Sequence, residues 1–433
     1  MKKAFVVGIV ILLVLPLPGK GKGIVYIDID SASIRLYRLA FPPLTLLQGV
    51  DRWGIGKRAE AIIWKDLEIA HLFHLMDRSG FPQKGYLQER LIKYDLWRDR
   101  GAEFLLSVGY GVGGEKVFFE FRLYDVVRGR YIGGRRYRGN RKGLSLIIHR
   151  MMDDIVEILT GEKGIFCTQI AFVSNRTGNK EIYSMDPDGE NLEPITRNGS
   201  INLSPSWSPD GRRILFTCFR RRNPDLYEIH LPTGRVRLVS SAVGLNAAGV
   251  YSPDGRRIAL MMRGKEGTDI FAISPNGKRK EKIVGGWANE ASPTWSPDGT
   301  KIAFVSDRRG TPQIYVKDLR KGTVSCVTFE GGYNCSPAWS PKGDWIAYAG
   351  RVGGRFQIFV VRPDGSEVRM LTEGDADHED PTWAPDGRHI AYCCNRRGNY
   401  DIYIMTLQGG GPWRITSMKG DETEPAWSPR IFR

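Results

Sequence analysis

One pentapeptide recurs along this chain at a fixed interval, and that interval restricts the possible folds more than any other feature. WSPDG begins at Trp207 and returns as YSPDG at Tyr251, WSPDG at Trp295, WSPKG at Trp339, WAPDG at Trp383 and a shortened WSP at Trp427, each copy 44 residues after the last. A catalytic motif occurs once, because chemistry needs one pocket, whereas a structural unit can be copied. The repeat therefore marks a unit of architecture.

Aligned in this frame, Ile170, Ile214, Ile258, Ile302, Ile346 and Ile390 open short apolar segments such as IAFVS and IAYCC. Tyr183, Tyr227, Phe271, Tyr315, Phe359 and Tyr403 follow 13 residues later in segments such as EIYSM. Both sets read as strands of β-branched and aromatic residues. Turn residues and a third strand follow, and the residues before each repeated aromatic form another. Four short strands per repeat predict a propeller blade. In SPDG, Pro fixes φ, Asp bonds the backbone ahead and Gly supplies a positive φ, so the motif reads as the hairpin from a blade's first strand to its second. The aromatic is expected to pack between neighbouring blades.

The repeat is out of phase with the chain ends. It starts with a second strand near Ile170 and ends with a lone first strand at Trp427, so strand 424–428 is predicted to pair with strand 170–174 and close a six-bladed ring. The expected organisation is multidomain α/β plus all-β: a signal peptide over 1–23, an N-terminal α/β domain over 24–161 and the propeller over 165–433. Lys2 and Lys3 followed by the apolar run 4–15 have the pattern of a secretory leader too short to span a bilayer. Within the first domain, 24–30 alternates as a strand, 57–76 has helical periodicity, three strands follow, and a closing helix carries Ile148, Met151, Met152, Ile155 and Leu159 on one face.

Catalytic readings fail on their surroundings. Gly109, Gly111 and Gly114 match GxGxxG, but the following residues alternate as a strand instead of opening a helix, so a glycine-rich hairpin is expected. The chain has no GxSxG elbow. His71 and His74 lack HExxH and are read as packing or surface residues. The six cysteines show no zinc-type spacing, and the adjacent Cys393 and Cys394 are expected on opposite sides of a strand. The acidic stretch 375–380 has the composition to bind a cation and reads equally as a solvated loop.

Charge is patterned. The formal net charge is +15, and basic residues recur in the loop between the second and third strands of each blade, among them Arg220, Arg221, Lys265, Arg308, Arg309, Arg396 and Arg397. On the same side, Asn202, Asn246, Glu290, Asn334, His378 and Glu422 share a register five residues before the repeated aromatic. These positions predict a basic outer ring around a polar mouth suited to a partner with acidic groups. The segment 247–255 lacks the Pro-x-aromatic step of the other five copies, so its mouth segment is expected to differ in shape.

VYIDIDS, LYDV and RYIGGRRYRG in the first domain, the junction LTGEKGIFCTQIAFVSNRTGNKEIYSMDPDG and the terminal EPAWSP together resemble the TolB family of the Tol-Pal system, over essentially the whole chain. The resemblance implies a periplasmic scaffold rather than an enzyme, with no cofactor and no metal. It implies binding of the peptidoglycan-associated lipoprotein Pal through the propeller mouth, and of TolA through Ile24, Val25, Tyr26, Ile27, Asp28, Ile29 and Asp30. It also implies a role in outer-membrane integrity and invagination during division, and in uptake of colicins. The alternation of 24–30 suits addition to a sheet edge. The mature chain is expected to be a monomer with no membrane span and no nucleic-acid partner. Two other readings remain: a propeller holding a small ligand or glycan in its channel, and an accessory propeller of a hydrolase.

Overall fold

The computed structural model describes residues 35–430. The leader and the strand expected at 24–30 lie outside them.

The N-terminal domain is a six-stranded sheet with helices on it. Phe73–Leu75, Tyr37–Ala40 and Phe104–Gly113 run parallel in that order, and Thr45–Gly49 also pairs with Phe104–Gly113. The sheet continues antiparallel through Lys116–Asp125 to Arg130–Asn140. The three strands expected after the helical segment 57–76 are therefore present, and the GxGxxG match is a hairpin: Gly111 faces Phe118 across the ladder. Its lack of a side chain leaves room for that ring, since a Cβ would meet Phe118 Cε1 at 2.1 Å.

Among the described residues, three α-helices, α1 (Ile55–Ala70), α2 (Tyr94–Asp99) and α3 (Leu144–Thr160), accompany the sheet. α3 buries the apolar face that its spacing predicts, with Ile148, Met151, Met152, Ile155 and Leu159 all out of solvent. It ends at Gly161, which takes φ 78° and donates to Glu157 O at 2.8 Å. The first helix is shorter than its periodicity suggested. His71 adopts φ 45°, caps α1, and turns the chain into strand Phe73–Leu75. Apolar residues at 72, 73, 75 and 76 suit either period, and pairing with Tyr37–Ala40 decides for the strand.

Six four-stranded blades follow. Blades 1 to 5 open with inner strands Asn202–Trp207, Asn246–Tyr251, Glu290–Trp295, Asn334–Trp339 and His378–Trp383. In blade 6 the C-terminal strand Glu422–Trp427 pairs with Ile170–Ser174, with Trp427 opposite Ile170 and Glu422 opposite Ser174. The ring closes as the phase of the repeat requires. The repeated isoleucines are fully buried. Beside them, the second and third strands stack aromatic pairs such as Phe172 with Tyr183 and Phe304 with Tyr315, centroids 6.1 and 5.9 Å apart.

The corner motif behaves as its residues dictate. Ser208 Oγ donates to Asp210 Oδ1 at 2.5 Å and accepts from Arg213 N at 2.9 Å, while Gly211 turns with φ 65°. The tryptophans do more than pack. Trp207, Trp295 and Trp383 donate to the Ala426, Val250 and Ala338 carbonyls of the preceding blade at 3.0, 3.2 and 3.0 Å. The segment lacking the Pro-x-aromatic step keeps the shape of the others: Ala248 holds φ 50° in the same bulge, and Leu226 packs where a Cβ on Gly249 would fall. Cys393 and Cys394 face two different apolar clusters, and all six cysteines are free.

The two domains share one core. Ile63, Leu67, Met151 and Ile155 of the first domain lie in the same apolar cluster as Phe166, Ile170, Met185, Ile402 and Ile404 of the connection and blades 5 and 6. The corner that departs most from SPDG is used here. With Ala384 in place of Ser, Asp386 Oδ2 pairs with His389 Nδ1 at 2.6 Å, and His389 Nε2 reaches Ile69 O at 2.8 Å. Arg388 donates to Ala70 O. These carbonyls belong to the last turn of α1, which has no intrahelical donors for them.

Candidate interaction face of the propeller

The loops from second to third strand and the connections into the next blade lie together on one face. Backbone bonds sew them: Asn202 N to Lys180 O at 2.8 Å, Asn246 N to Pro224 O at 2.9 Å, Asn334 N to Pro312 O at 2.9 Å and Glu422 N to Tyr400 O at 2.8 Å.

The six register residues frame this mouth without presenting their side chains to it. Asn202, Asn246, Glu290, Asn334, His378 and Glu422 are 0–2% exposed, a correction to the mouth-lining role expected for them. Each opens an inner strand; Asn202, Asn246 and Asn334 turn into the joint with the preceding blade, and Glu290, His378 and Glu422 pair within their own blades. Asn246 donates to Ala242 O at 2.6 Å and Gly244 O at 3.0 Å, and Asn334 donates to Gln313 Oε1 at 2.6 Å and Glu330 O at 2.9 Å. Asn202 donates to Glu181 Oε2 at 2.9 Å and Ser200 O at 3.0 Å. The reason is backbone satisfaction: a tight connection beside a packed strand leaves carbonyls that need donors. The other three carry charge chemistry. Arg308 pairs with Glu290 at 2.8 Å, Arg396 donates to His378 Nε2 at 3.0 Å, and Ser174 donates to Glu422 at 2.9 Å. Burial pushes the Glu422 carboxyl up to about 7 and, with Arg396 nearby, pushes His378 down.

The basic loop residues divide accordingly. Arg220, Arg221, Lys265, Arg309, Arg396 and Arg397 are exposed, although Arg396 also lies over Tyr403 and bonds to His378, whereas Arg308 is half-buried, drawn in by Glu290.

Sequence reasoning missed the apolar part of this face. The connections into blades 1 to 4 expose Ile201, Val243, Trp287, Phe329 and Tyr333, with Val243 at 91%, Trp287 at 67% and Phe329 at 68%. The basic loops and the strands they lead into touch the same connections: Asn223 donates to Ala242 O, and Gln313, opening strand Gln313–Asp318, donates to Gly331 O. Aromatics inside otherwise polar loops were the available signal. Over blade 5 the connection is instead acidic, with Glu373, Asp375 and Asp377.

Nearer the axis, Ser204, Ala248, Ser292, Ser336, Asp380 and Glu424 occupy a second register, three residues before the aromatic, all with φ 49–52°. Glu424 accepts from Ser204 N at 2.6 Å, and Ser336 donates to Asp380 at 2.8 Å, so neighbouring inner strands are bonded around the axis. Burial, with Asp380 beside it, pushes Glu424 up to about 6.

Comparison with known proteins matches both halves. The family described as TolB beta propeller domain matches residues 156–431, and that described as TolB amino-terminal domain matches residues 25–132. This chain belongs to the TolB family. Tol-Pal system protein TolB of Desulfosudis oleivorans is 38% identical over 214 residues, 48% of this chain and 49% of that protein. Its counterpart in Geobacter sulfurreducens is 40% identical over 190 residues, 44% of each. These alignments thus span about half the length of the curated relatives. The crystal structure of TolB from Acinetobacter baumannii superimposes with a TM-score of 0.80, covering 93% of this chain and 99% of that one at 24% identity. At that identity the likeness establishes the TolB fold. Among the described residues no helix is long and apolar enough to cross a membrane.

Proposed function

We propose that this chain is a non-enzymatic periplasmic scaffold of the Tol-Pal system. Its propeller face takes the peptidoglycan-associated lipoprotein Pal, its segment 24–30 takes TolA, and the assembly supports outer-membrane integrity and invagination during division. The carrying observation is the juxtaposition on one face of exposed apolar side chains, Trp287 and Phe329 foremost, with the exposed cations Arg220, Arg221, Lys265 and Arg309. Large aromatics supply the affinity of protein interfaces, and rim charges supply orientation and association rate. The leader pattern over 1–23 and the relatives' Tol-Pal assignment support export and partnership. Segment 24–30 rests on the family resemblance and its strand-like alternation.

The test is a binding titration of purified Pal from the same organism against residues 24–433. Trp287→Ala with Phe329→Ala is expected to weaken Pal at least tenfold, and R220E with R221E and R309E to slow association and weaken its salt dependence. Arg308 is left intact because its change would strand Glu290. Undiminished binding by both variants would remove this face from the interaction.

A further inference from the structure

Where the domains meet, four ionisable side chains are buried together. α1 supplies Asp66, α3 supplies His149, and the turn after strand Glu181–Met185 of blade 6 supplies Asp186 and Asp188. Asp66, His149 and Asp188 are 0–1% exposed, and Asp186 is 5% exposed. His149 Nδ1 lies 2.8 Å from Asp66 Oδ2. Its other nitrogen, Nε2, points at Asp188 Oδ2 at 3.6 Å and at Asp186 Oδ2 at 3.8 Å, beyond hydrogen-bonding range; Asp186 Oδ2 also accepts from Asn191 Nδ2 at 2.6 Å, which leaves a lone pair for a cation. His149 Nε2, Asp188 Oδ2 and Asp66 Oδ1 each lack a hydrogen-bond partner, although one donor atom from each residue lies within 4.8 Å of the others.

An ion-paired imidazolium accounts for this arrangement poorly. It would leave buried carboxylate oxygens without donors, and their desolvation uncompensated. A dication would partner two of the three orphaned atoms, His149 Nε2 and Asp188 Oδ2. Two ligands on tetrahedral zinc, with bonds of about 2.0–2.1 Å, lie roughly 3.3–3.4 Å apart, close to the observed Nε2 to Oδ2 separations. A metal-bound histidine typically gives its second nitrogen to a carboxylate, the relation between His149 and Asp66. Lys65 donates to the Asp188 carbonyl, so one cation already borders the turn. We infer that His149, Asp186 and Asp188 bind a zinc-class divalent cation, oriented by Asp66, that joins the N-terminal domain to blade 6. The site draws its ligands from both domains, so the metal's affinity adds to the stability of their junction. The inference is independent of the proposed partners.

The untagged chain, residues 24–433, is stripped with chelator and titrated with zinc by calorimetry. One equivalent is expected to bind and raise the Tm. D188N and H149Q are expected to abolish this uptake, and D66N, which spares the ligands, to weaken it roughly 10–100-fold. Because H149Q is a core change, the decisive readout uses the unaltered protein: crystals grown with zinc should show an anomalous peak at the zinc edge between His149 Nε2 and Asp188 Oδ2. No uptake by the stripped protein overturns the site and leaves an ion-paired histidine. A peak elsewhere, such as between the axial carboxylates Asp380 and Glu424, overturns it equally.

Discussion

Trp427 Nε1 donates to Thr168 Oγ1 at 2.8 Å across 259 residues of chain. Ser428 N donates to Gln169 O beside it at 2.8 Å, and Gln169 N returns a bond to Ser428 Oγ at 2.9 Å. Three bonds between the two ends of the propeller thus lock blade 6. Trp427→Ala removes a buried ring and one of those bonds, and is expected to destabilise the propeller by about 3–5 kcal/mol. Deletion from Glu422 onward leaves strand Ile170–Ser174 with an open edge and should abolish cooperative unfolding. Urea titrations followed by circular dichroism check both.

Glu422 gives closure a pH dependence. Its folded carboxyl sits near 7 against an ordinary 4.5, so between those values the folded chain holds a proton that the unfolded chain has released. The native state then binds more protons, and stability falls as pH rises. This contribution is complete below about 4.5 and gone above about 7. Glu422→Gln should flatten that part of the stability profile, by on the order of 1–3 kcal/mol across the interval. Parallel denaturant titrations of both proteins at several pH values measure the difference in slope.

Ala248 offers a test of backbone strain. It is the one apolar residue of the axial register and holds φ 50°, a conformation costing an L-residue roughly 1 kcal/mol. Ala248→Gly is therefore expected to be neutral or to stabilise by up to about 1 kcal/mol, where the same change in an ordinary strand destabilises by about 0.5–1 kcal/mol. Thermal melts decide the sign.

The domain junction should be separable. Arg388→Ala takes a buried donor from the carbonyls of Ala70, the last residue of α1, and its cap His71, at an expected cost of about 1–3 kcal/mol. The shared apolar core should hold the domains together at low temperature. Calorimetry should show the single transition broadening or splitting as the domains begin to melt apart.

Repetition made the propeller legible. Six copies in one register expose which positions every blade needs, and the phase of the first and last copies implies the closing strand, because a ring cannot end on half a blade. The SPDG corner was equally readable, since Pro, Asp and Gly act on their own backbone. The 57–76 segment was not: its helix stops at His71 because the strand that follows finds a partner in Tyr37–Ala40, a pairing that local periodicity does not record.

The same division runs through the functional surface. Sequence by itself determined the number of blades, the face on which the loops gather and the family of the chain, because these follow from local chemistry repeated at a fixed spacing. Only the tertiary structure decided which polar side chains that face presents. Asn246 and Glu290 share a register with residues that look solvent-ready, yet both are buried, since neighbouring loops and cations claim them. Likewise, nothing in the spacing of Asp66, His149 and Asp188 joins them. They meet because two separately coded domains bury one core, and burial turns three ordinary side chains into a cluster that needs a counter-charge.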